Sequence, residues 1–284
     1  KVTGPELLKT IKLSRGELDL LTGCPPCQGF STLRTRKRGV QTDFRNELVF
    51  EVLRLVRSIR PKAVLIENVP GLADDKRFEK FVEGLRKAGY GCDFKKLNAS
   101  DFGVPQRRSR LVLVAIRGGF PPPNWAKPSD IKKTVKDAIS SLPIAGFSGD
   151  PLHDIQDRRT PTVIARIRSI PKDGGSRADL PLSQQLKCHQ RSNGFHDVYG
   201  RMAWDEVSPT ITSGCNNPSK GRFLHPYENR AITLREAALL QSFPEKYQFD
   251  LSRGKGQAAL QIGNAFPPVL IQPIAKSILR ELTG

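Results

Sequence analysis

The sequence predicts an α/β protein, and three observations lead to that class. Short apolar runs at residues 17–23, 63–69 and 109–118 have the length and composition of buried strands. Longer stretches between them carry apolar residues at helical spacing. The chain of 284 residues is 38% hydrophobic, so it can build one large or two medium domains. Strands that alternate with helices favour a mostly parallel sheet, whose ligands bind beyond the carboxyl ends of the strands.

The first part of the chain supplies this alternation. Apolar residues recur at helical spacing from Leu48 onward, and Pro61 predicts the end of that helix. The next strand-like run breaks at Pro70 and Gly71. The predicted elements follow in this order: strand 17–23, helix 44–60, strand 63–69, helix 77–89, strand 91–99 and strand 109–118.

Residues 119–230 are rich in proline, glycine and polar residues and show little periodicity. One interpretation is a disordered insertion. The alternative is a small domain whose core is built by aromatic residues together with a strand at 208–214. The aromatic residues in question are Phe147, Phe195, Tyr199, Trp204 and Phe223.

Two helices are predicted after this region. Thr233 has a glutamate, Glu236, three residues later, which is the spacing of a capping box at the start of a helix over 233–244. Residues 269–282 predict a final amphipathic helix. We therefore divide the chain into part of a catalytic domain, a recognition domain that includes the 233–244 helix, and a segment that returns to the catalytic domain. The predicted boundaries are 1–122, 123–255 and 256–284.

The net charge and the cysteine content indicate the kind of partner and the cellular setting of the protein. The net charge is +18, and residues 1–119 hold 24 basic against 13 acidic side chains, which favours a polyanionic partner. No apolar run is long enough to span a membrane, so no membrane partner is expected. Five cysteines, an odd and sparse set, do not make a disulfide framework. We expect a reducing, cytoplasmic setting.

Two of these cysteines, Cys24 and Cys27, have the spacing C-x-x-C, which three chemistries use. A structural zinc site needs four ligands, and the sequence offers no second pair at suitable spacing. A redox dithiol is a stronger alternative, but that motif alone is weak support.

A nucleophilic cysteine is the third possibility for the motif. Cys27 precedes a basic run that includes Arg34, Arg36 and Lys37, and nearby cations favour the thiolate. Glu67, at the end of the next strand, is placed to bring a carboxyl to the same crevice. On this reading Cys24 is a small buried residue without a chemical role.

Six segments in order now carry a family resemblance: the chain resembles the DNA (cytosine-5)-methyltransferases along almost its whole length. The matching segments are PPCQGFS at 25–31, DFRNEL at 43–48, ENVPG at 67–71, DFGVPQRRSRLVLVAIR at 101–117, NRAITLREAALLQSFP at 229–244 and QIGNAFPP at 261–268. Any one segment is modest support, whereas six in family order are specific. The resemblance implies an S-adenosylmethionine-dependent, Rossmann-like α/β sheet with a small loop-rich target-recognition domain.

The resemblance also implies a chemistry for named residues. Cytosine C5 is a poor nucleophile, and attack by the Cys27 thiolate on C6 makes C5 enamine-like. Glu67 would share a proton with ring N3, while Asn68 would order the turn. Arg108 and Arg110 match the two motif arginines, which would hold the base carbonyl, the Cys27 loop or the phosphates. S-adenosylmethionine would supply the methyl group.

The expected partner is double-stranded DNA, and the expected biology is restriction-modification. Because the reacting atoms of a paired cytosine lie inside the stack, the base must be flipped. A mobile loop hinged at Gly29 would close over the DNA. The residues expected to contact DNA are Gln28, Ser31, Arg34, Arg36, Arg191 and Arg201.

The cofactor half departs from the family pattern. The glycine-rich first strand and the following acidic residue are missing from the sequence, which begins downstream of them. The cofactor contacts that remain by match are Pro25, Leu48, Asn264 and Ala265, although Leu48 is about equally well explained as a packing residue. We expect a separate chain or a preceding segment to complete the cofactor site, weak cofactor binding without it, and a monomer on DNA. The alternative function is an incomplete or inactive DNA-binding module.

Overall fold

The computed structural model describes residues 2–26, 47–119, 125, 127–155, 158–186 and 197–283. These residues form two compact units, and each unit is assembled from more than one segment of the chain. The sheet unit comprises Lys1–Asn98, Ser109–Lys127 and Gln272–Gly284, and the loop unit comprises Ala99–Arg108 and Pro128–Ile271.

The sheet unit holds four strands and three complete helices within its described residues. In chain order they are α1 (Gly4–Ile11), β1 (Leu20–Gly23), α2 (Leu48–Ile59), β2 (Ala63–Asn68), α3 (Lys76–Lys87), β3 (Tyr90–Asn98) and β4 (Ser109–Arg117). The strands lie side by side in the order β1-β2-β4-β3. The predicted α/β class and each predicted strand and helix of this segment are confirmed.

The sheet is mixed, so the prediction of a mostly parallel sheet is wrong for the described strands. β1 and β2 pair in parallel, whereas β4 runs antiparallel to both β2 and β3. The reason is the connection between β3 and β4. Residues 99–108 contain only one short 3-10 turn, and a parallel crossover needs a dozen or more residues.

The core of the sheet unit lies between the sheet and the helices α2 and α3. Leu53 and Val56 of α2 and Phe78, Phe81 and Leu85 of α3 are almost fully buried. The two helices approach closely at Gly84, because a Cβ atom there would lie 2.4 Å from a methyl group of Leu53.

The loop unit contains short helices joined by irregular segments. The helices formed by its described residues are α4 (Val135–Ile139), α5 (Pro151–Asp154), α6 (Pro161–Ser169), α7 (Leu234–Leu240) and α8 (Lys255–Asn264). The last helix, α9 (Pro268–Thr283), begins in this unit and continues into the segment assigned to the sheet unit. Thr233 accepts a hydrogen bond from the Glu236 amide at 3.1 Å, and its own amide donates to the Glu236 carboxylate, so the predicted capping box is confirmed.

The small core predicted for this region is confirmed in part. Tyr199 and Phe223 are buried and Trp204 is half-buried. Phe147, in contrast, is 89% exposed, so its predicted place in the core is wrong. Phe195 lies outside the described residues. The predicted strand at 208–214 is reduced to one isolated bridge, between Gln106 and Ser208. No helix among the described residues is long and apolar enough to cross a membrane.

Candidate active site

The carboxyl ends of β1 and β2 bring together residues of the first and third matching segments. The parallel register pairs Gly23 with Ile66, so that Cys24 follows β1 at the level where Glu67 and Asn68 end β2. A side chain at Gly23 would meet the side chains of buried Ile66 and half-buried Val52. Glycine therefore lets the chain pass close to α2 before it enters the PPCQ segment.

Glu67 forms an ion pair with Arg110. The Arg110 Nε lies 2.7 Å from Glu67 Oε1, and the two side chains are only 14% and 9% exposed. Arg110 comes from β4, whose antiparallel register with β2 places Leu111 opposite Asn68. The guanidinium also donates to the Ser109 carbonyl at 2.7 Å. A carboxylate this deep in the protein needs such a partner, because an unpaired buried charge is costly.

Asn68 connects β2 to the PPCQ segment. Its Nδ2 donates to the Pro25 carbonyl at 2.9 Å, and its Oδ1 accepts the Val69 amide at 2.8 Å. The side chain is buried, and both of its polar ends are used by main chain. This arrangement supports the expectation that Asn68 orders the turn.

Cys24 has a neighbour that the sequence did not suggest. Although the residue is exposed as a whole, its thiol lies beside Glu67. Loss of water around the sulfur and the negative charge of Glu67 raise the pKa of Cys24 to about 12, with Arg110 opposing the shift. Cys24 is therefore a thiol at neutral pH.

Several predicted residues lie outside the described part of the chain and stay predictions. They are Cys27, Gln28, Ser31, Arg34, Arg36 and Arg191.

Arg108 occupies a different environment from Arg110. It belongs to the loop unit, where its side chain is 1% exposed. Its Nη1 donates to the Ile211 carbonyl, and its Nη2 donates to the carbonyls of Gly263 and Ala265, all at 3.0 Å. This position does not support the expected contact of Arg108 with a base or a phosphate. Arg108 immediately precedes β4, which begins at Ser109 and carries Arg110.

Arg201 is likewise a buried arginine of the loop unit. It is 0% exposed and its guanidinium donates to the carbonyls of Ile167, Ile170, His225 and Glu228, as well as to the Asn229 side chain. The guanidinium therefore joins the main chain of the 167–170 and 225–228 segments through hydrogen bonds, an arrangement called here the main-chain clamp. Its burial does not support the predicted DNA contact.

The four predicted cofactor residues lie at two places. Pro25 and Leu48, half-buried apolar residues, lie in the sheet unit, and Leu48 is the first residue of α2. Asn264 is exposed at the end of α8, and half-buried Ala265 follows it. In the described residues no group of histidine, cysteine and acidic side chains could hold a metal ion.

A buried charge cluster also lies within the loop unit. Arg230 donates to both Glu228 and Glu236, with its Nη2 at 2.9 and 2.7 Å from their Oε1 atoms. Next to them, His225 accepts the amides of Tyr227 and Glu228 through Nδ1. Burial lowers the pKa of His225 to about 4, against the opposing effect of Glu236. The cluster fixes the segment that precedes α7.

Comparison with known proteins assigns the family. The family model of the C-5 cytosine-specific DNA methylases matches residues 6–280. Type II methylase M.HgiDII of Herpetosiphon aurantiacus is 40% identical over 93% of this chain and 77% of the relative. Type II methyltransferase M1.BsuMI of Bacillus subtilis is 34% identical over 93% of this chain and 61% of the relative.

Two solved structures resemble this chain in fold. A prophage-encoded protein of E. coli, described as a DNA modification methyltransferase, shares 25% identity with a TM-score of 0.66, over 100% of this chain and 84% of that one. The Dnmt2 methyltransferase of S. pombe, at 19% identity and a TM-score of 0.58 over 100% of this chain and 83% of that one, shares the fold. The chain belongs to the C-5 cytosine-specific DNA methylase family.

Proposed function

We propose that this chain methylates C5 of a flipped cytosine within a specific sequence of double-stranded DNA, with S-adenosylmethionine as methyl donor, as part of a restriction-modification system. The observation that carries the proposal is the buried Glu67–Arg110 ion pair at the carboxyl end of β2, beside the turn that leads into PPCQ. A carboxylate and a guanidinium in this arrangement suit a substrate that gains charge on a ring nitrogen and its neighbouring carbonyl.

Glu67 and Arg110 have complementary roles in this chemistry. When a thiolate adds to cytosine C6, electron density moves to N3 and O2. Glu67 shares a proton with N3, and Arg110 places positive charge near the O2 carbonyl while it orients the carboxylate. The low exposure of both side chains strengthens these interactions, because little water screens them.

Cys27 is the nucleophile in this proposal by its match to the family motif. Its sulfur forms a bond to C6, and C5 then carries the new methyl group and its original hydrogen. Loss of the C5 proton to a base re-forms the C5–C6 double bond and expels the Cys27 thiolate by β-elimination. Cys24, whose pKa is about 12, is not available as a competing thiolate at neutral pH.

The residues proposed to hold S-adenosylmethionine are Pro25, Leu48, Asn264 and Ala265. Pro25 and Leu48 offer apolar contact for the adenine ring, and Asn264 offers an exposed amide for a polar group. The bound cofactor supplies the methyl group as an electrophile. The net charge of +18 supports phosphate binding, and Arg34 and Arg36 are proposed contacts.

The test is methyl transfer by the 284-residue chain to duplex DNA of mixed sequence, with radiolabelled S-adenosylmethionine. We expect slow labelling at cytosine C5 in a subset of sequences, in line with the weak cofactor binding expected of this chain, and no label with Cys27→Ser. A chain that binds DNA but transfers no methyl group would favour the alternative, a DNA-binding module. Transfer that survives Cys27→Ser would contradict the role of Cys27.

A further inference from the structure

Arg108 and Gln241 share the turn that follows α8. Arg108 Nη2 donates to the Gly263 and Ala265 carbonyls at 3.0 Å. Gln241 Nε2 donates to the Ile262 carbonyl at 2.6 Å and, more weakly, to the Ala265 carbonyl at 3.5 Å. Both side chains are almost fully buried, at 1% and 0% exposure. Two side chains from distant segments therefore bind three of the last carbonyls around one turn.

Gln106 fixes the direction of these bonds. Its Oε1 accepts the Ile211 amide at 2.9 Å, so its Nε2 must donate, and it does so to Gln241 Oε1 at 2.8 Å. Gln241 is then left with its Nε2 to donate toward the turn. The orientation of both amides follows from this chain of bonds.

The bonds satisfy a need that every helix end has. The last carbonyls of a helix have no intrahelical donor, and burying them unpaired costs free energy. Here they face side-chain donors, and Ala265 closes the turn with its amide on the Ile262 carbonyl at 3.3 Å. An arginine in this place is itself costly to bury. Its presence indicates a requirement for a fixed turn conformation.

Gly263 restricts the same turn from another side. A Cβ atom at this position would lie 2.2 Å from the Thr212 carbonyl carbon and 2.3 Å from the Ser213 nitrogen. The Gly263 main chain therefore rests directly against the 212–213 main chain. Arg108 binds both segments, since it also donates to the Ile211 carbonyl at 3.0 Å.

We propose that Arg108 and Gln241 are positioning residues that fix the Gly263–Ala265 turn, and with it the cofactor contacts at Asn264 and Ala265, and that Arg108 does not act on the cytosine. The inference rests on the proposed function, because that function assigns Asn264 and Ala265 to the cofactor. The inference gives the two motif arginines different roles. Arg110 would contact the cytosine, and Arg108 would hold the Gly263–Ala265 turn in place.

The first test is hydrogen exchange in the free chain, which needs no cofactor. Arg108→Lys keeps the charge but cannot reach three carbonyls, and Gln241→Met keeps the size without the donor. We expect exchange at Ala265 and the last turn of α8 to rise about 10-fold or more in both variants, with β2 and β4 unchanged, as in local opening. Arg201→Lys is the matched control, since it alters an equally buried arginine that binds other carbonyls.

The second test is the affinity for S-adenosylhomocysteine, measured by calorimetry, together with methyl-transfer kinetics. A displaced turn should weaken binding and raise the KM for S-adenosylmethionine about 10-fold, with kcat at saturating cofactor within about threefold of wild type. Arg201→Lys should leave the affinity unchanged.

Three outcomes would overturn the inference. One is wild-type exchange and affinity in Arg108→Lys together with a lower kcat, which would place Arg108 at the base. Another is increased exchange throughout both units in both variants, which would make the network a general stabiliser. The third is a wild-type chain without affinity for S-adenosylhomocysteine. Absence of methyl transfer by a wild-type chain that binds S-adenosylhomocysteine would contradict the proposed function, while the exchange and affinity results would still decide the positioning role.

Discussion

Both units bury arginines, but they surround them differently. In the sheet unit, Arg110 pairs with the carboxylate of Glu67 at a strand end. In the loop unit, Arg108 and Arg201 donate to main-chain carbonyls. An arginine held by a carboxylate keeps a charge pair available to a reacting group, whereas an arginine held by carbonyls fixes irregular chain. The contrast teaches that position within a motif does not reveal an arginine's task, since Arg108 and Arg110 are two residues apart.

The largest effect is expected on methyl transfer, when a substitution breaks the Glu67–Arg110 charge pair of the sheet unit. Glu67→Gln keeps the size of the side chain but cannot share a proton with ring N3. We expect methyl transfer to fall about 10²- to 10⁴-fold, the usual contribution of a general acid or base. Initial rates at saturating DNA and cofactor would measure this. A loss of less than about tenfold would remove Glu67 from proton transfer.

The next largest effect is expected on stability, when the hydrogen bonds from Arg201 to main-chain carbonyls of the loop unit are removed. Arg201→Met leaves the carbonyls of Ile167, Ile170, His225 and Glu228 without this donor. The Ile167 carbonyl still accepts the Ile170 amide at 3.3 Å, so three carbonyls lose their donor. Each buried unpaired group costs about 1–3 kcal/mol, and we therefore expect a loss of at least about 3 kcal/mol in the free energy of unfolding. Urea unfolding would measure it, with Lys87→Met on the exposed face of α3 as a control that leaves stability unchanged. Wild-type stability in Arg201→Met would contradict the clamp.

A smaller effect appears as pH dependence of the loop unit. The folded chain keeps His225 neutral down to about pH 4, whereas the unfolded chain protonates it near pH 6.5. The unfolded state therefore binds more protons in that window, and stability falls as the pH is lowered through it. The loss approaches roughly 3 kcal/mol at the acid end.

The matched variant for this pH effect is His225→Asn, whose amide oxygen can accept the Tyr227 and Glu228 amides but does not titrate. Unfolding free energies measured from about pH 4.5 to 6.5 should then vary less than in wild type. Glu228 and Glu236, which face His225, have lowered pKa values and lose their stabilising charge mainly below this range. An equal slope in both proteins would contradict the assignment to His225.

The smallest expected effects are those of two glycine-to-alanine substitutions in α8. Gly263 lies against a neighbouring main-chain segment, whereas Gly256 has open space beside it. Gly263→Ala would force a Cβ atom to 2.2 Å from the Thr212 main chain, and we expect a loss of about 1–3 kcal/mol. Gly256→Ala meets no atom within 4 Å, and we expect a gain of about 0.5–1 kcal/mol from helix propensity. Thermal unfolding of the two variants measures the difference. Equal changes in stability in the two variants would mean that the 212–213 main chain moves away from the new Cβ atom without a loss of stability.

The sequence was most informative where periodicity and ordered motifs coincide. The spacing from Leu48 to Ile59 and the capping box at Thr233 predicted helices that the structure has. Glu67 at a strand end was predicted as part of the site, and the structure gives it a buried partner. These predictions depend on contacts close in sequence or on alternation along one strand.

Other features depend on contacts that no local pattern encodes. The Gln106–Gln241 bond joins residues 135 positions apart, and the bonds of Arg201 depend on two other segments, 167–170 and 225–229, folding around it. A usable signal existed for Gln241, a polar residue that directly follows the apolar run 237–240, in which Ala237, Ala238 and Leu240 are buried. The partner of Cys24 follows from the β1–β2 register, which the sequence does not specify.

The measurement that tests the account most directly is covalent trapping on duplex DNA in which 5-fluorocytosine replaces cytosine, with S-adenosylmethionine present. Fluorine at C5 blocks the final elimination, so an active thiol stays bonded to C6. Peptide mapping of the adduct separates the two cysteines of the GCPPCQ segment. The account predicts an adduct on Cys27, with Cys24 unmodified because its pKa is about 12. An adduct on Cys24, or DNA binding without any adduct, would contradict it.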